Sequence, residues 1–228
     1  MHILVFIKQV PDVEKLGISK SRGEMFEAAK RIMNPSDRVA LELAIRLRQT
    51  GDGNISAVTL GEEQAVEVLR EALAMGADQA YLLSDPTFVH RDVLGNVVIL
   101  AAAAKKIGKY DLILCGSQSP VGNTGQTGPR LAQALNLPQA SFVRSLQVKG
   151  TSVIAERLLD GKTVEKELPL PALLIVHPEA TQPRMPNAFM IMKAFKKEIN
   201  RWGQSDLGLE SLPEPVVKVR RTFLPESV

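Results

Sequence analysis

Residues 116–131 read Gly-Ser-Gln-Ser-Pro-Val-Gly-Asn-Thr-Gly-Gln-Thr-Gly-Pro-Arg-Leu and follow directly on the apolar run Asp111–Cys115. The pattern is a strand emptying into a loop of small and hydroxyl-bearing residues, then a helix. Glycines at 116, 122, 125 and 128 permit φ > 0 and let a ligand come close to the backbone. Gln118, Ser119, Asn123, Thr124, Gln126 and Thr127 add hydroxyl and amide groups. Residues 116–128 carry no charged side chain, so an anion held there rests on backbone N–H groups and a helix N-terminus. No Gly-Lys-Ser/Thr closes the loop, and it lacks the G-x-G-x-x-G spacing, so it is neither a Walker A loop nor a dinucleotide fingerprint.

The elements that must position this loop are legible upstream. Ile3–Ile7 is an apolar first strand. Pro11 to about Met33 is polar and mixed and reads as a loop. Asn34-Pro35-Ser36-Asp37 marks a helix start with Asn or Ser as cap, running to about Gln49. Ile55–Leu60 is a second strand, Glu62–Met75 a helix ended by Gly76, and Ala80–Leu83 a third strand. Asp92–Ile107 is an alanine-rich helix closed by Gly108, Leu112–Cys115 the fourth strand, and Gln126–Leu135 the next helix. Strands alternating with helices of this length predict βαβ units in a doubly wound, mainly parallel α/β sheet. The ends of the first, second and fourth strands (Lys8-Gln9, Thr59-Leu60-Gly61 and Gly116–Gly128) then converge on one crevice, where such folds bind ligands.

Past Pro138 the rhythm changes. Val143–Gln147, Ser152–Glu156 and Thr163–Leu168 are separated by the turn signals Lys149-Gly150 and Asp160-Gly161, and Leu173–Val176 follows. This predicts an antiparallel addition. Met190–Arg201 has helical character, and Gly203–Val228 reads as an extended arm docked on a partner.

Composition narrows the function. Aromatics at 4% disfavour base-stacking platforms, and 28 basic against 25 acidic residues give too little net charge to imply nucleic acid or a membrane surface. The lone Cys115 excludes an internal disulfide and a Cys-clustered metal site. The histidines His2, His90 and His177 are scattered and suggest no metal. No leader peptide or membrane-length apolar run is seen, which predicts a cytoplasmic protein without membrane insertion. No nucleophile–base arrangement can be assembled, so binding or electron carriage is expected over bond-making catalysis. The basic cluster Lys193, Lys196, Lys197 and Arg201, flanked by Met190, Met192 and Phe195, is either a solvated helix face or a recognition surface.

Several of these segments together resemble electron-transfer flavoprotein beta subunits. They are Ile3-Leu4-Val5-Phe6-Ile7-Lys8-Gln9-Val10-Pro11-Asp12, Met33-Asn34-Pro35, Glu71-Ala72-Leu73-Ala74-Met75-Gly76-Ala77-Asp78, and Gly125-Gln126-Thr127-Gly128. Lys162 to Pro171, Gln182-Pro183-Arg184 and Ile191-Met192-Lys193-Ala194 complete the series. The resemblance covers residues 1 to about 200. It implies a nucleotide-binding domain over 1–200 and, in 201–228, a C-terminal arm contacting the alpha subunit. It also implies a heterodimer with an FAD-carrying alpha subunit, taking electrons from flavin dehydrogenases to a quinone oxidoreductase or another acceptor. In this family the crevice holds AMP, or a second FAD in electron-bifurcating members that oxidise NADH. Carried onto this chain, the nucleotide would touch Phe6, Lys8, Asn34, Pro35, Ser36 and Asp37, with Ala57 and Leu60 flanking the adenine. Gly116, Gln118, Gly122, Asn123, Thr124, Gly125, Gln126, Thr127 and Gly128 would form the phosphate side. Docking of dehydrogenases would fall to Arg184, Ala188, Met190, Met192, Lys193, Lys196 and Lys197.

Two departures stand out. Gly122-Asn123-Thr124 is similar to a Gly-Asp-Thr of the bifurcating and nitrogen-fixation branch with Asn in place of Asp, which leaves AMP against FAD open. Met185-Pro186-Asn187-Ala188-Phe189-Met190 replaces the usual residues after Pro-Arg, which points to a dehydrogenase other than the familiar acyl-CoA type. A stand-alone nucleotide sensor is the remaining alternative.

Overall fold

A computed structural model describes residues 1–12 and 29–217. Most of the loop expected between Pro11 and Met33, and the end of the expected arm, lie outside them. Among the described residues, nine strands form one sheet in the order β11-β5-β4-β1-β6-β10-β7-β8-β9. Its left half is β11 (Asn200–Trp202), β5 (Gln79–Leu83), β4 (Asn54–Leu60) and β1 (His2–Phe6); its centre and right are β6 (Leu112–Gly116), β10 (Ala172–Val176), β7 (Gln139–Lys149), β8 (Ser152–Leu159) and β9 (Lys162–Pro169). From β11 to β7 every pairing is parallel. β7, β8 and β9 pair antiparallel. A separate ribbon joins β2 (Gln9–Pro11) to β3 (Arg31–Met33).

Alternation along β1 shows how the layers form. Ile3, Val5 and Ile7 enter the core under helices α1 (Pro35–Gln49) and α2 (Val66–Met75). Leu4 and Phe6 enter the opposite core under α3 (Val93–Ile107) and α4 (Thr127–Ala134). Strands buried on both faces are why these runs read as continuously apolar rather than alternating. Burying each large aliphatic side chain contributes roughly 1.5–3 kcal/mol. The chain moves outward from β1 to β4 and β5, then returns past β1 to lay down β6. That reversal puts a crevice at the carboxyl ends of β1 and β6. Among the described residues no helix is long and apolar enough to cross a membrane.

Three expectations need correction. Leu173–Val176 was expected within the antiparallel addition, but β10 inserts parallel between β6 and β7 because its fully apolar residues fit a position covered on both faces. Met190–Arg201 is not one helix: α5 covers Ala188–Phe195, and Asn200–Trp202 turns into the edge strand β11. Residues 203–217 pack on the chain's own body. Leu207 is buried, Gln204 N–H donates to Asp85 Oδ2 at 2.9 Å, and Arg91 Nη1 reaches Pro213 O at 3.2 Å. Asp92 Oδ2 accepts from Val216 N–H at 2.9 Å.

Candidate functional site

The crevice is built from two neighbouring strand ends and the first turn of α1. Asp37 joins all three: its Oδ2 accepts from Lys8 N–H at 2.8 Å and its Oδ1 from Gly116 N–H at 3.0 Å. Asn34 extends the clasp, donating from its backbone N–H to Lys8 O at 2.8 Å and from Nδ2 to Gln118 O at 2.9 Å. By residue type Asn34 should cap α1, yet no side-chain cap bond forms there. Both polar residues of the helix start instead tie down the strand ends. Gly116 is required for this approach. A Cβ there would lie 2.5 Å from Asp37 Oδ1 and 2.6 Å from the Ser36 carbonyl carbon.

The clasp has an electrostatic signature. Burial pushes the Asp37 carboxyl up to about 6 from 3.8; hydrogen bonds from Asn34, Gly116 and Lys8 and the Lys8 charge pull the other way. Lys8 is exposed as a residue, but the protein around its ammonium lowers its pKa by desolvation, against the pull of Asp37. The folded protein therefore holds a proton on Asp37 between pH 3.8 and about 6 that the unfolded chain has released. Stability from this group falls as pH rises through that window, by ~3 kcal/mol in order of magnitude. In denaturant unfolding across pH 4–7, the wild type should lose ground of that order on Asp37→Asn as pH rises. A pH-independent gap between them would contradict the buried charge. Next to the clasp, Cys115 is buried, and desolvation together with Asp37 pushes its thiol far up, so it is an inert core group.

Beyond Gly116 the loop turns on left-handed backbone at Gly122 (φ +80), Asn123 (φ +44) and Gly125 (φ +62). Ser119 Oγ closes a local turn onto Val121 O at 2.8 Å. The loop delivers the chain to α4, whose first residue, Thr127, is exposed. Gly128 seats that helix start on the sheet: a Cβ would lie 2.7 Å from Ile175 Cγ1 and 3.0 Å from Cys115 Sγ. The Gln126 side chain does not cap α4, so the first-turn N–H groups of Thr127 and Gly128 have no partner within the helix. This uncharged backbone, uncapped helix start and nearby Thr124 hydroxyl suit a phosphate group.

The residues expected to bind nucleotide divide by position. Lys8, Pro35, Gln118 and Gly122–Thr127 are exposed around the crevice, and Leu60 and Gly116 are partly exposed. Phe6, Asn34, Ser36, Asp37 and Gly128 are buried directly beneath and build it. Ala57 does not join them. It is fully buried in the core cluster under α1 and α2, because at its register in β4 the side chain faces inward.

The segment expected to dock partners lies elsewhere, across α1 and α2. Its helix α5 exposes Phe189 (68%), Met192 (61%) and Phe195 (66%), and Met185 before it is 79% exposed. Ala188, Lys193 and Lys196 are exposed, and Met190 partly so. Two expected docking cations are engaged within the chain instead. Arg184 Nε and Nη2 donate to Glu42 at 2.8 and 3.1 Å, and Lys197 Nζ donates to Ala77 O at 2.7 Å. Burial raises the Glu42 carboxyl, but hydrogen bonds from Arg184 and Arg46 outweigh it and hold its pKa below the usual range. Desolvation lowers that of Lys197. The pairing of Glu42 with Arg46 is a local i,i+4 pattern, but its other partner Arg184 and the carbonyls held by Arg70 lie over 120 residues away and carry no local sequence signal. The clustered Met and Phe of 185–195 were the available signal for the exposed apolar face.

Comparison with known proteins shows the family of the chain. The family described as electron transfer flavoprotein domain matches residues 24–207. The chain is 38% identical over 226 residues to an electron transfer flavoprotein subunit beta of Thermoanaerobacterium thermosaccharolyticum, covering 95% of this chain and 86% of that one. It is 38% identical over 231 residues to the caffeyl-CoA reductase-Etf complex subunit CarD of Acetobacterium woodii, covering 99% and 88%. To protein FixA of Bradyrhizobium diazoefficiens it is 35% identical over 238 residues, covering 99% and 83%. With a matching family over most of its length and beta-subunit relatives aligned nearly end to end, the chain belongs to the electron transfer flavoprotein family as a beta subunit.

Proposed function

We propose that the crevice between β1 and β6 holds an adenylate group, as AMP or as the AMP half of FAD, and that the chain is the docking half of a heterodimer whose alpha subunit carries FAD. One observation carries the crevice reading: an uncapped helix start and a glycine-turned loop adjoin two strand ends tied together by Asp37. FAD, where bound, supplies the redox chemistry, while protein contributes binding, orientation and electrostatics. In that division Gly122–Thr127 and the α4 N-terminus hold phosphate, while Asp37 and Asn34 keep the crevice in shape through their bonds to the strand ends and loop. Electrons then come from a flavin dehydrogenase docked on α5 and leave to a quinone oxidoreductase or another acceptor. One relative is named as a subunit of a caffeyl-CoA reductase-Etf complex, which supports a reductase of CoA esters as the docked class over the non-acyl-CoA dehydrogenase that residues 185–190 suggest.

Gly125→Val in the co-expressed heterodimer tests the crevice. A β-branched residue at φ +62 is strained by ~1–3 kcal/mol, enough to weaken adenylate retention about tenfold or more. The variant should lose adenylate from this subunit while the alpha subunit keeps its flavin. Full retention in both subunits would refute the site. Loss of AMP identifies the simple carrier; loss of a second flavin, with loss of NADH-driven bleaching, identifies the bifurcating form.

A further inference from the structure

Glu42 lies five residues beyond Asp37 on α1, and its side chain is only 2% exposed. It accepts four hydrogen bonds, three of them from Arg184: backbone N–H at 3.2 Å, Nε at 2.8 Å and Nη2 at 3.1 Å. Arg46 Nε supplies the fourth at 2.9 Å. Accepting both a backbone amide and a guanidinium fork from one residue fixes the place of Arg184 and also the direction in which the chain leaves it. Further contacts follow the same path over α1, from Arg46 Nη2 to Gln182 O and from Arg38 Nη2 to Met185 Sδ, each 3.3 Å. Asn187 then caps Met190 N–H at 2.9 Å and starts α5. The far end is held by a different helix. Arg70 Nη1 of α2 donates to Ala194 O at 2.7 Å and Lys197 O at 2.5 Å, and its guanidinium stands 5.8 Å from the Phe195 ring centroid.

A buried ion pair adds little net stability over an apolar pair of the same shape, so its effect here is on geometry. We propose that Glu42 is a positioning residue for electron transfer: through Arg184 it sets the path of residues 184–197, with Arg70 as the second post, and so presents Phe189, Met192 and Phe195 preassembled to the dehydrogenase. Preassembly matters because a loose segment would lose conformational freedom at each encounter. The proposal rests on the docking role of α5, and Arg184 becomes a strut rather than a docking cation.

Glu42→Gln keeps the size but turns an amide NH2 toward the guanidinium. In the heterodimer it should speed amide exchange over 184–195 by about tenfold or more, the response expected when a buried pair is broken. The KM of a flavin dehydrogenase for the heterodimer should rise about tenfold, with kcat and adenylate content unchanged. Arg184→Lys retains the charge opposite Glu42 but loses the fork; it should move both readouts the same way and carries the test if Glu42→Gln does not fold. Unchanged exchange in the folded variant, or a fall in kcat at constant KM, would overturn the proposal. If exchange speeds but KM holds only in Glu42→Gln, while Phe189→Asp raises it, the positioning role fails. If KM holds in both, the docking role of α5 is what fails.

Discussion

Replacing Gly116 by alanine should destabilise the protein by about 3 kcal/mol and strip it of bound adenylate. One methyl group is enough because the space it needs is occupied by parts that cannot give way. Its Cβ would meet Asp37 Oδ1 at 2.5 Å and Ser36 backbone and Cβ at 2.6 Å. Moving Ser36 means moving the first turn of α1, which is packed against β6. Moving Asp37 breaks the hydrogen bonds from Lys8 and Gly116, leaving a buried carboxylate with fewer partners. Either displacement opens the two strand ends that frame the crevice. Urea unfolding and nucleotide release from the purified heterodimer measure both effects. Near-wild-type stability with full adenylate would mean that the clasp tolerates a methyl group and does not shape the site.

Phe189→Asp combined with Met192→Asp should leave the fold and its nucleotide alone and slow electron transfer from a dehydrogenase by about thirtyfold or more, the loss of a central anchor worth ~2 kcal/mol. Both side chains are more than half exposed, so a charge there meets water and changes stability by only ~0.5 kcal/mol. A partner's apolar surface would instead have to desolvate two carboxylates. Lys193 and Lys196 on the same segment are exposed, and exchanging them for Gln should flatten the salt dependence of the association rate. Unaltered rates in the double aspartate variant would move the docking site away from α5.

The extent to which this molecule can be read from its sequence varies with the range of the interactions. Gly76 and Gly108 end their helices at φ +137 and +90, and Asp160-Gly161 turns β8 into β9 at φ +48 and +75, all as local chemistry requires. The crevice was legible because a doubly wound order reverses beside the first strand, which sets the end of β6 next to that of β1. The parallel insertion of β10 was not, since the apolar run Ala172–Val176 marks a strand covered on both faces but does not say that β6 and β7 flank it. Asn34 and Asp37 have the residue types of a helix cap, but distant strand ends compete for their side chains and win. Arg184 and Lys197 look like surface cations because Glu42 and the Ala77 carbonyl lie over a hundred residues earlier. Leu207, Leu209 and Leu212 likewise find cover against the core cluster to which β5 and α3 contribute, which no local pattern announces.

The central claim is that this subunit carries its own adenylate group while its partner carries FAD. The direct measurement is to denature the co-purified heterodimer with acid and count total adenylate, as AMP plus FAD, against protein. The account predicts two adenylates per heterodimer, whether as FAD with AMP or as two FAD. A single adenylate per intact heterodimer, accounted for by the FAD of the alpha subunit, would contradict it.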